Sequence, residues 1–260
     1  MARSALLNVM TQAAFKAGRA LNRDFGEVQN LQVSVKGPGD FVTNADKYAE
    51  KVIRQELMKA RPDFGFLMEE GGEIKGKDPQ NRWIIDPLDG TFNFMHGIPH
   101  FCTSIALERE GEIAAGVIYN PVSDELFVAE KGQGAFLNDS RMRVAARKDL
   151  TTCMVGSYIP HFGKDGHAQA LKNQQFVMRE VAGVRCSGST ALDLAYVACG
   201  RLDGVWQKGP DAWDLAAGII LIREAGGYVT DMTGGRKLFE TNSVLAGNEH
   251  VHQGLGKLVS

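Results

Sequence analysis

Apolar and polar positions alternate along the chain with a period that changes from one segment to the next. Over residues 4–24 apolar side chains recur every three to four positions, which predicts an amphipathic helix. A second helical run opens at "TNAD" (43–46), where an acid stands three places after a hydroxyl, and a proline at position 62 ends it. The stretch 31–42 alternates and then breaks at Gly-Pro-Gly, which predicts an exposed flexible loop.

The strand pattern after residue 64 differs between the first and second halves of the chain. "FGFLM" (64–68) and "RWII" (82–85) are buried strands, and 101–137 predicts an antiparallel meander of strands joined by turns. After about residue 145 the pattern predicts strands that alternate with helices. We therefore expect an α+β half over 1–145 and an α/β half over 146–260, joined without a flexible spacer into one compact catalytic unit.

Composition narrows the class of protein further. The chain has 260 residues and a net charge of −2, so no basic surplus indicates a nucleic-acid partner. No apolar run is long enough to cross a membrane. The 4 cysteines form no C-x-x-C pair, which argues against a zinc site and favours free thiols in a reducing cytoplasm. The basic first 23 residues resemble a transit peptide in composition, but their helical spacing favours a first helix.

The stretch "WIIDPLDGTFNF" (83–94) carries two acids out of a predicted strand. Pro87 cannot donate to a sheet ladder, so we expect it to stop the strand of residues 83–86. The turn can bring the carboxylates of Asp86 and Asp89 and the carbonyl of Leu88 to one side. Such oxygen ligands suit Mg2+. An ordinary turn is the competing interpretation, because Asp-Pro and Asp-Gly pairs are common in turns.

The starts of three further predicted helices can likewise be interpreted either as part of a binding site or as ordinary helix caps. Gly90 and Thr91 open a short predicted helix, where free amides and a hydroxyl can bind an anion or simply cap the helix. Asp214 stands at another predicted helix start, as a metal ligand or as a capping acid. Gly188 and Ser189 precede a third helix, where they can meet substrate hydroxyls or serve as a cap.

Taken together, these segments resemble the inositol monophosphatases, within the Mg2+-dependent, lithium-sensitive sugar phosphatases. The matching stretches are "WIIDPLDGTFNFMHG" (83–97) and "AWDLAAGIILIREAGG" (212–227), supported by "MEE" (68–70) and "KGPGDFVTNAD" (36–46). The resemblance runs through nearly the whole chain. It implies a layered α-β-α-β-α sandwich of the inositol monophosphatase and fructose-1,6-bisphosphatase type, an antiparallel N-terminal sheet, a homodimer, and two or three Mg2+ ions per site.

The resemblance also implies roles for individual residues. The expected metal ligands are oxygen groups: Glu69, Asp86, the Leu88 carbonyl, Asp89 and Asp214. Thr91 is expected to orient the attacking water with Asp46 behind it, and Glu69 to assist catalysis. The expected substrate contacts are Gly90, Thr91, Gly188, Ser189, Gln207 and Asp214, and the expected mobile loop near a loosely held third metal contains Lys36 and Asp40.

Electrostatics agrees with a metal site at these acids. Like charges about 4 Å apart repel by roughly 4 kcal/mol per pair at intermediate dielectric, so four carboxylates and a phosphate need cations. Bound Mg2+ can also acidify water and stabilise a leaving alkoxide. The predicted reaction is therefore direct attack of metal-activated water on a small phosphate monoester.

The substrate is less closely defined than the reaction. In inositol-specific relatives a glutamate stands at the position of Gln207, and an amide lacks its charged acceptor. The leading substrate is myo-inositol 1-phosphate, with fructose 1,6-bisphosphate and histidinol phosphate as alternatives on the same metal core. An alternative of another class is a regulatory protein associated with RNA or transcription. A simple divalent-ion binder would leave Gly90 and Thr91 unexplained, and no EF-hand loop occurs in the sequence.

Overall fold

The computed structural model describes residues 3–27, 33–37, 40–161 and 163–259, with the backbone alone at 33–37 and 40–42. The helices are α1 (Ala5–Phe25), α2 (Asn44–Ala60), α3 (Thr91–Met95), α4 (His167–Val177), α5 (Thr190–Ala198), α6 (Ala212–Glu224), α7 (Leu238–Thr241) and α8 (Glu249–Val259). The strands are β1 (Val33–Gly37), β2 (Asp40–Thr43), β3 (Phe64–Met68), β4 (Gly72–Ile74), β5 (Asp78–Asp89), β6 (Cys102–Arg109), β7 (Glu112–Asn120), β8 (Glu125–Glu130), β9 (Gly134–Leu137), β10 (Ser140–Arg141), β11 (Met154–Ser157), β12 (Gly183–Arg185), β13 (Gly204–Lys208), β14 (Tyr228–Thr230) and β15 (Ser243–Gly247).

Two large sheets organise the described residues. The first has eight strands in the order β10-β9-β8-β7-β6-β5-β3-β4, and all its neighbours are antiparallel except β3 and β5. It contains the predicted meander, which is confirmed as β6 to β9. The second has five strands in the order β12-β11-β13-β15-β14, with β11 parallel to both of its neighbours. The division into residues 1–145 and 146–260 remains a prediction.

Helices cover and separate the two sheets. The apolar faces of α1 and α2 pack on one side of the eight-stranded sheet. Helices α5 and α6 fill the space between the sheets with small and branched apolar side chains. Helix α8 packs against the outer face of the five-stranded sheet, and α4 packs against α8. The result is the α-β-α-β-α order of layers that the family resemblance implies.

The middle helical layer approaches its neighbours very closely. A Cβ at Gly116 of β7 would lie 2.9 Å from the Cα of Ala217 in α6. A Cβ at Gly218 would lie 2.5 Å from the Cβ of Leu194 in α5. Because any larger side chain would force the backbones apart, these glycines determine how deeply α6 lies between the sheets.

The prediction that Pro87 stops its strand is wrong. Strand β5 continues to Asp89, and its ladder with β6 pairs Asp86 with Ser104 and Asp89 with Cys102, so β5 holds one extra residue. This is a bulge, where a residue without an N–H is tolerated because the ladder is already interrupted. The carbonyl of Pro87 accepts a hydrogen bond of 2.9 Å from the Thr103 hydroxyl.

Two other segments differ from expectation. Where the sequence predicts a flexible loop, β1 and β2 form an antiparallel hairpin, although residues 31, 32, 38 and 39 lie outside the described part. Helix α4 had no prediction, because it buries only Asn173 and Val177 and so lacks a regular apolar face.

Candidate active site

The parallel pair β3 and β5 brings the first two acids together. Met68 pairs with Ile85, so the residues that follow them, Glu69 and Asp86, emerge side by side at one sheet edge. The Glu69 amide donates to the Ile85 carbonyl at 3.2 Å. An antiparallel pairing would have placed these strand ends at opposite edges.

The bulge at the end of β5 directs three oxygen groups out of the sheet. Asp86 is 1% exposed, and its Oδ1 accepts from the Leu88 amide at 2.9 Å. The chain then reaches Asp89, whose Oδ2 accepts from the Ser189 hydroxyl at 2.5 Å and the Ala191 amide at 2.7 Å. Asp89 is therefore held at the first turn of α5.

The last acid comes from the middle helical layer. Asp214 lies in the first turn of α6, where its Oδ2 accepts from the Asp211 amide at 2.7 Å in a capping box. Helix α6 packs against β5, β6 and β7, which brings this first turn to the bulge. One carboxylate oxygen each from Asp86, Asp89 and Asp214 lies within 4.8 Å of the other two.

These carboxylates raise one another's pKa. Burial raises the pKa of Asp86 well above its ordinary value, and the charges of Glu69, Asp89 and Asp214 raise it further. Burial and the charge of Asp89 likewise raise the pKa of Asp214 well above the ordinary value. Burial also raises the pKa of Asp89, against the hydrogen bond from Ser189 and the amides of α5, which lower it.

The donor set fits a hard divalent cation. All the groups that converge here are oxygen donors, and the chain surrounds Asp86 with acids, so a bound cation would supply the missing positive charge. The cluster of Asp86, Asp89 and Asp214 can therefore bind a metal ion. Glu69 and the Leu88 carbonyl lie beside it as further oxygen donors.

Thr91 lies next to this cluster, at the start of α3. Its hydroxyl oxygen is 3.0 Å from Asp46 Oδ1 and 2.9 Å from the Leu88 carbonyl oxygen. Asp46 is fully buried at the start of α2, where the amide of Thr43 donates to its Oδ2 at 2.9 Å. Gly90, just before α3, has φ = 92°, a backbone conformation that glycine adopts at little cost.

The predicted substrate residues Gly188 and Ser189 lie just before α5, and Gln207 lies in β13. Gly188 has φ = 83° and lies against Asn93, whose Nδ2 would be 3.0 Å from a Cβ there. Ser189 is 2% exposed and donates to Asp89. Gln207 is 3% exposed; its Oε1 accepts from Thr190 at 2.8 Å and its Nε2 donates to Asp193 at 3.2 Å. Both ends of that amide are thus engaged inside the protein.

Two predicted residues have side chains outside the described part of the chain, and two residues near the site were not predicted. Lys36 and Asp40 belong to β1 and β2, where side chains are outside the described part of the chain. Asn93 had no prediction, yet its Nδ2 donates to the carbonyls of His100 at 2.8 Å and Ser187 at 2.9 Å. Asp193 also had none, although an acid inside the apolar run "ALDLAYVA" could have indicated a buried polar contact.

Residues 2–260 match the inositol monophosphatase family. The chain belongs to this family. As an inositol monophosphatase family member it is a phosphoric monoester hydrolase, and the acids of the two long sequence stretches are those that meet in its structure.

Individual relatives of this family member carry two kinds of name. An inositol-1-monophosphatase of Rhizobium meliloti is 61% identical over 259 residues, which cover 100% of this chain and 97% of the relative. A protein of Xylella fastidiosa named Nus factor SuhB is 44% identical over 260 residues, covering 97% of this chain and 94% of the relative.

A solved structure of similar sequence shares the fold of this inositol monophosphatase family member. The extragenic suppressor protein suhB from Bartonella henselae is 58% identical, with a TM-score of 0.97 over 99% of each chain. Within the described residues of our chain, no helix combines the length and apolar character needed to cross a membrane.

Proposed function

We propose that this protein hydrolyses a small polyol or sugar phosphate monoester in a Mg2+-dependent reaction, with myo-inositol 1-phosphate as the leading substrate. The observation that carries the proposal is the group of Asp86, Asp89 and Asp214, whose oxygens lie within 4.8 Å of one another beside Thr91. The 61% identity to a protein named inositol-1-monophosphatase supports the choice of substrate.

The acids of the cluster would hold two or three Mg2+ ions. Asp86 has Glu69, Asp89 and Asp214 as its charged neighbours, which suits a bridging ligand, and the Leu88 carbonyl would complete the set. When bound, the cations supply positive charge for the phosphate and make a water molecule more acidic. The protein contributes a fixed arrangement of oxygens, because hydrogen bonds from the backbone hold Asp86, Asp89 and Asp214.

Thr91 and Asp46 would orient the attacking water. The Thr91 hydroxyl has one proton and two acceptors in reach, Asp46 Oδ1 and the Leu88 carbonyl, so its lone pairs remain available to accept from water. Asp46 cannot turn away, since Thr43 holds its other oxygen. Glu69 would receive the proton that the water loses, while the amides of Gly90 and Thr91 hold the phosphate.

The sugar would be recognised around Gly188 and Asp214. A direct contact from Gln207 would require its amide to leave Thr190 and Asp193. We therefore expect a broader preference among polyol phosphates than a charged acceptor at this position would give. Fructose 1,6-bisphosphate and histidinol phosphate are the alternative substrates.

A substrate panel tests the proposal. Phosphate release would be measured from myo-inositol 1-phosphate, fructose 1,6-bisphosphate and histidinol phosphate, with Mg2+ and with EDTA. We expect the highest kcat/KM for the inositol ester and no turnover in EDTA. A dominant rate on either other ester would refute the substrate assignment, and full turnover in EDTA would refute the metal assignment.

A second candidate function is regulation of transcription. Its support is the 44% identity to a protein named Nus factor SuhB over nearly the whole chain. A net charge of −2 argues against direct contact with nucleic acid, so such a role would act through protein partners. Transcription elongation in vitro with and without the protein tests it; an Asp86→Asn variant that still alters elongation would separate this role from hydrolysis.

A further inference from the structure

We infer that Ser189 is a positioning residue for the acid Asp89, and therefore controls metal binding and not sugar recognition. Its hydroxyl donates to Asp89 Oδ2 at 2.5 Å, the shortest contact that this carboxylate makes with the protein among the described hydrogen bonds. The inference rests on the proposed function in so far as it takes Asp89 to be a metal ligand.

The hydrogen bonds described for Asp89 fall on its Oδ2. Its Oδ2 accepts from Ser189 and from the Ala191 amide, and the thiol of Cys102 lies 3.9 Å away. The side chain is 9% exposed. Since these bonds hold Oδ2 at the first turn of α5, they fix how the carboxylate is presented to Asp86 and Asp214, with which it forms the cluster.

Ser189 is poorly placed to contact a substrate. It is 2% exposed, and its single hydroxyl proton is used by Asp89. Its oxygen also caps α5, but the bond from the Leu192 amide is long, at 3.4 Å. The strong contact of this side chain is therefore the one with the acid.

The segment that carries Ser189 is itself tied to α3, which follows Asp89 after Gly90. Asn93 of α3 donates from Nδ2 to the Ser187 carbonyl at 2.9 Å and to the His100 carbonyl at 2.8 Å. Gly188 lies against the same amide. The start of α5 thus stays in register with the end of β5, and Ser189 can hold Asp89 in one orientation.

Outer partners of metal ligands have large effects on metal affinity. Replacing such a partner commonly lowers affinity by about 10- to 100-fold, because the free ligand then samples other orientations. We expect Ser189→Ala to weaken Mg2+ binding by roughly 10-fold. Ser189→Thr keeps the hydroxyl and should recover most of the affinity.

Calorimetric titration of Mg2+ into metal-free protein tests the inference without any substrate. The matched control is Ser4→Ala, which removes the serine that caps α1 through a 3.1 Å bond to the Leu7 amide, in a helix layer that carries no metal ligand. The control should lower the melting temperature and leave the Mg2+ affinity unchanged. If Ser189→Ala does not fold, Ser189→Cys provides a near-isosteric variant whose thiol is only a weak donor.

A direct sugar contact predicts the opposite pattern. In that case Ser189→Ala would bind Mg2+ with wild-type affinity and would raise KM for myo-inositol 1-phosphate but not for p-nitrophenyl phosphate. That result would overturn the inference. A wild-type protein that binds Mg2+ but hydrolyses none of the esters would refute the proposed function, while the affinity comparison would still decide the role of Ser189.

Discussion

Asp86 and Asp231 occupy closely similar sequence contexts and have opposite surroundings in the structure. Each follows an apolar strand segment and opens a turn, in "IIDPLDG" and "VTDMTGG". Both are buried, at 1% and 2% exposed. From the local sequence alone, either could have been chosen as a metal ligand.

The neighbours of the two acids differ in charge and in origin. Asp231 Oδ1 accepts from the amide and hydroxyl of Thr233, at 2.8 and 2.6 Å, and from the Gly235 amide at 2.9 Å. Although burial acts in the other direction, these bonds lower the pKa of Asp231. Asp86 has the Leu88 amide and otherwise acidic neighbours from β3 and α6, and its pKa is raised.

The comparison separates two uses of a buried carboxylate. An acid that receives several donors from its own loop is satisfied by the protein and stabilises that loop. An acid that meets other acids from distant segments is costly in its charged form, and a cation from outside would stabilise that form. The origin of the neighbours, and not burial, distinguishes the candidate metal ligand.

The largest expected effect is the difference in kcat between variants in which one or the other acid is neutralised. Asp86→Asn should lower Mg2+-dependent kcat by about 1000-fold or more, equivalent to about 4 kcal/mol of barrier, because the bridging charge is lost. Asp231→Asn should leave kcat within about threefold, since its carboxylate contacts only its own loop. Steady-state kinetics with myo-inositol 1-phosphate measures kcat for both variants. Equal losses of kcat would contradict the distinction between the two acids.

The next effect concerns an uncharged group of the site. Thr91→Val should lower kcat by roughly 100-fold through loss of water orientation, while Mg2+ affinity stays near that of the wild type. Thr91→Ser keeps the hydroxyl and should restore most of the rate. An unchanged kcat in the valine variant would exclude the proposed role of this hydroxyl.

The two acids should also give opposite dependence of stability on pH. The lowered pKa of Asp231 stabilises the fold above the unfolded value near 3.9, and this contribution disappears as pH falls through the folded pKa. The raised pKa of Asp86 favours the fold at low pH, and this contribution disappears as pH rises through its folded pKa.

Thermal melts of metal-free protein measure this difference. At pH 7, Asp231→Asn should lower the free energy of unfolding by about 1–3 kcal/mol through its lost hydrogen bonds, and the loss should fade in acid. Asp86→Asn should reduce the decline in melting temperature between pH 5 and pH 8. Added Mg2+ should raise the melting temperature of the wild type most at pH 8. Parallel curves for wild type and Asp86→Asn would contradict the assignment.

The smallest expected effects are the changes in stability and kcat when one glycine near each acid is replaced by alanine. Gly234, in the Asp231 loop, has φ = 85° and open space around a Cβ, so Gly234→Ala should cost about 1–2 kcal/mol of stability and leave kcat unchanged. At Gly90, with φ = 92°, a Cβ would also lie 2.9 Å from the His100 carbonyl oxygen. Gly90→Ala should therefore cost more stability and lower kcat, which melts and kinetics on the same preparations would show.

Periodicity and family resemblance predicted most of the layered fold and named the acids of the cluster. Residues 64–68 and 82–85 were expected as strands, and they are strands. Their parallel pairing was not expected, because strand direction depends on contacts between distant segments and leaves no local pattern. That pairing is what makes Glu69 a neighbour of Asp86.

Side-chain orientation was harder to predict than position. The family resemblance predicted that Ser189 and Gln207 contact the sugar, but it could not show that both side chains face inward, because that depends on partners in other elements. Pro87 was predicted to end its strand. The interruption of the hydrogen-bond ladder that accommodates this proline arises from the pairing of β5 with β6, which the sequence of β5 alone does not show. Helix α4 was missed because its few buried side chains leave no amphipathic stripe.

The glycine at position 116 connects the packing of the layers with the geometry of the acid cluster. Its missing side chain lets α6 lie against β7, and α6 carries Asp214 toward the acids of β5. The spacing of these backbones therefore affects how far the carboxylate of Asp214 lies from those of β5. Mg2+ needs ligand distances of about 2.0–2.1 Å and Ca2+ about 2.3–2.6 Å, so a methyl group added at Gly116 would be expected to shift preference toward the larger ion without changing any ligand.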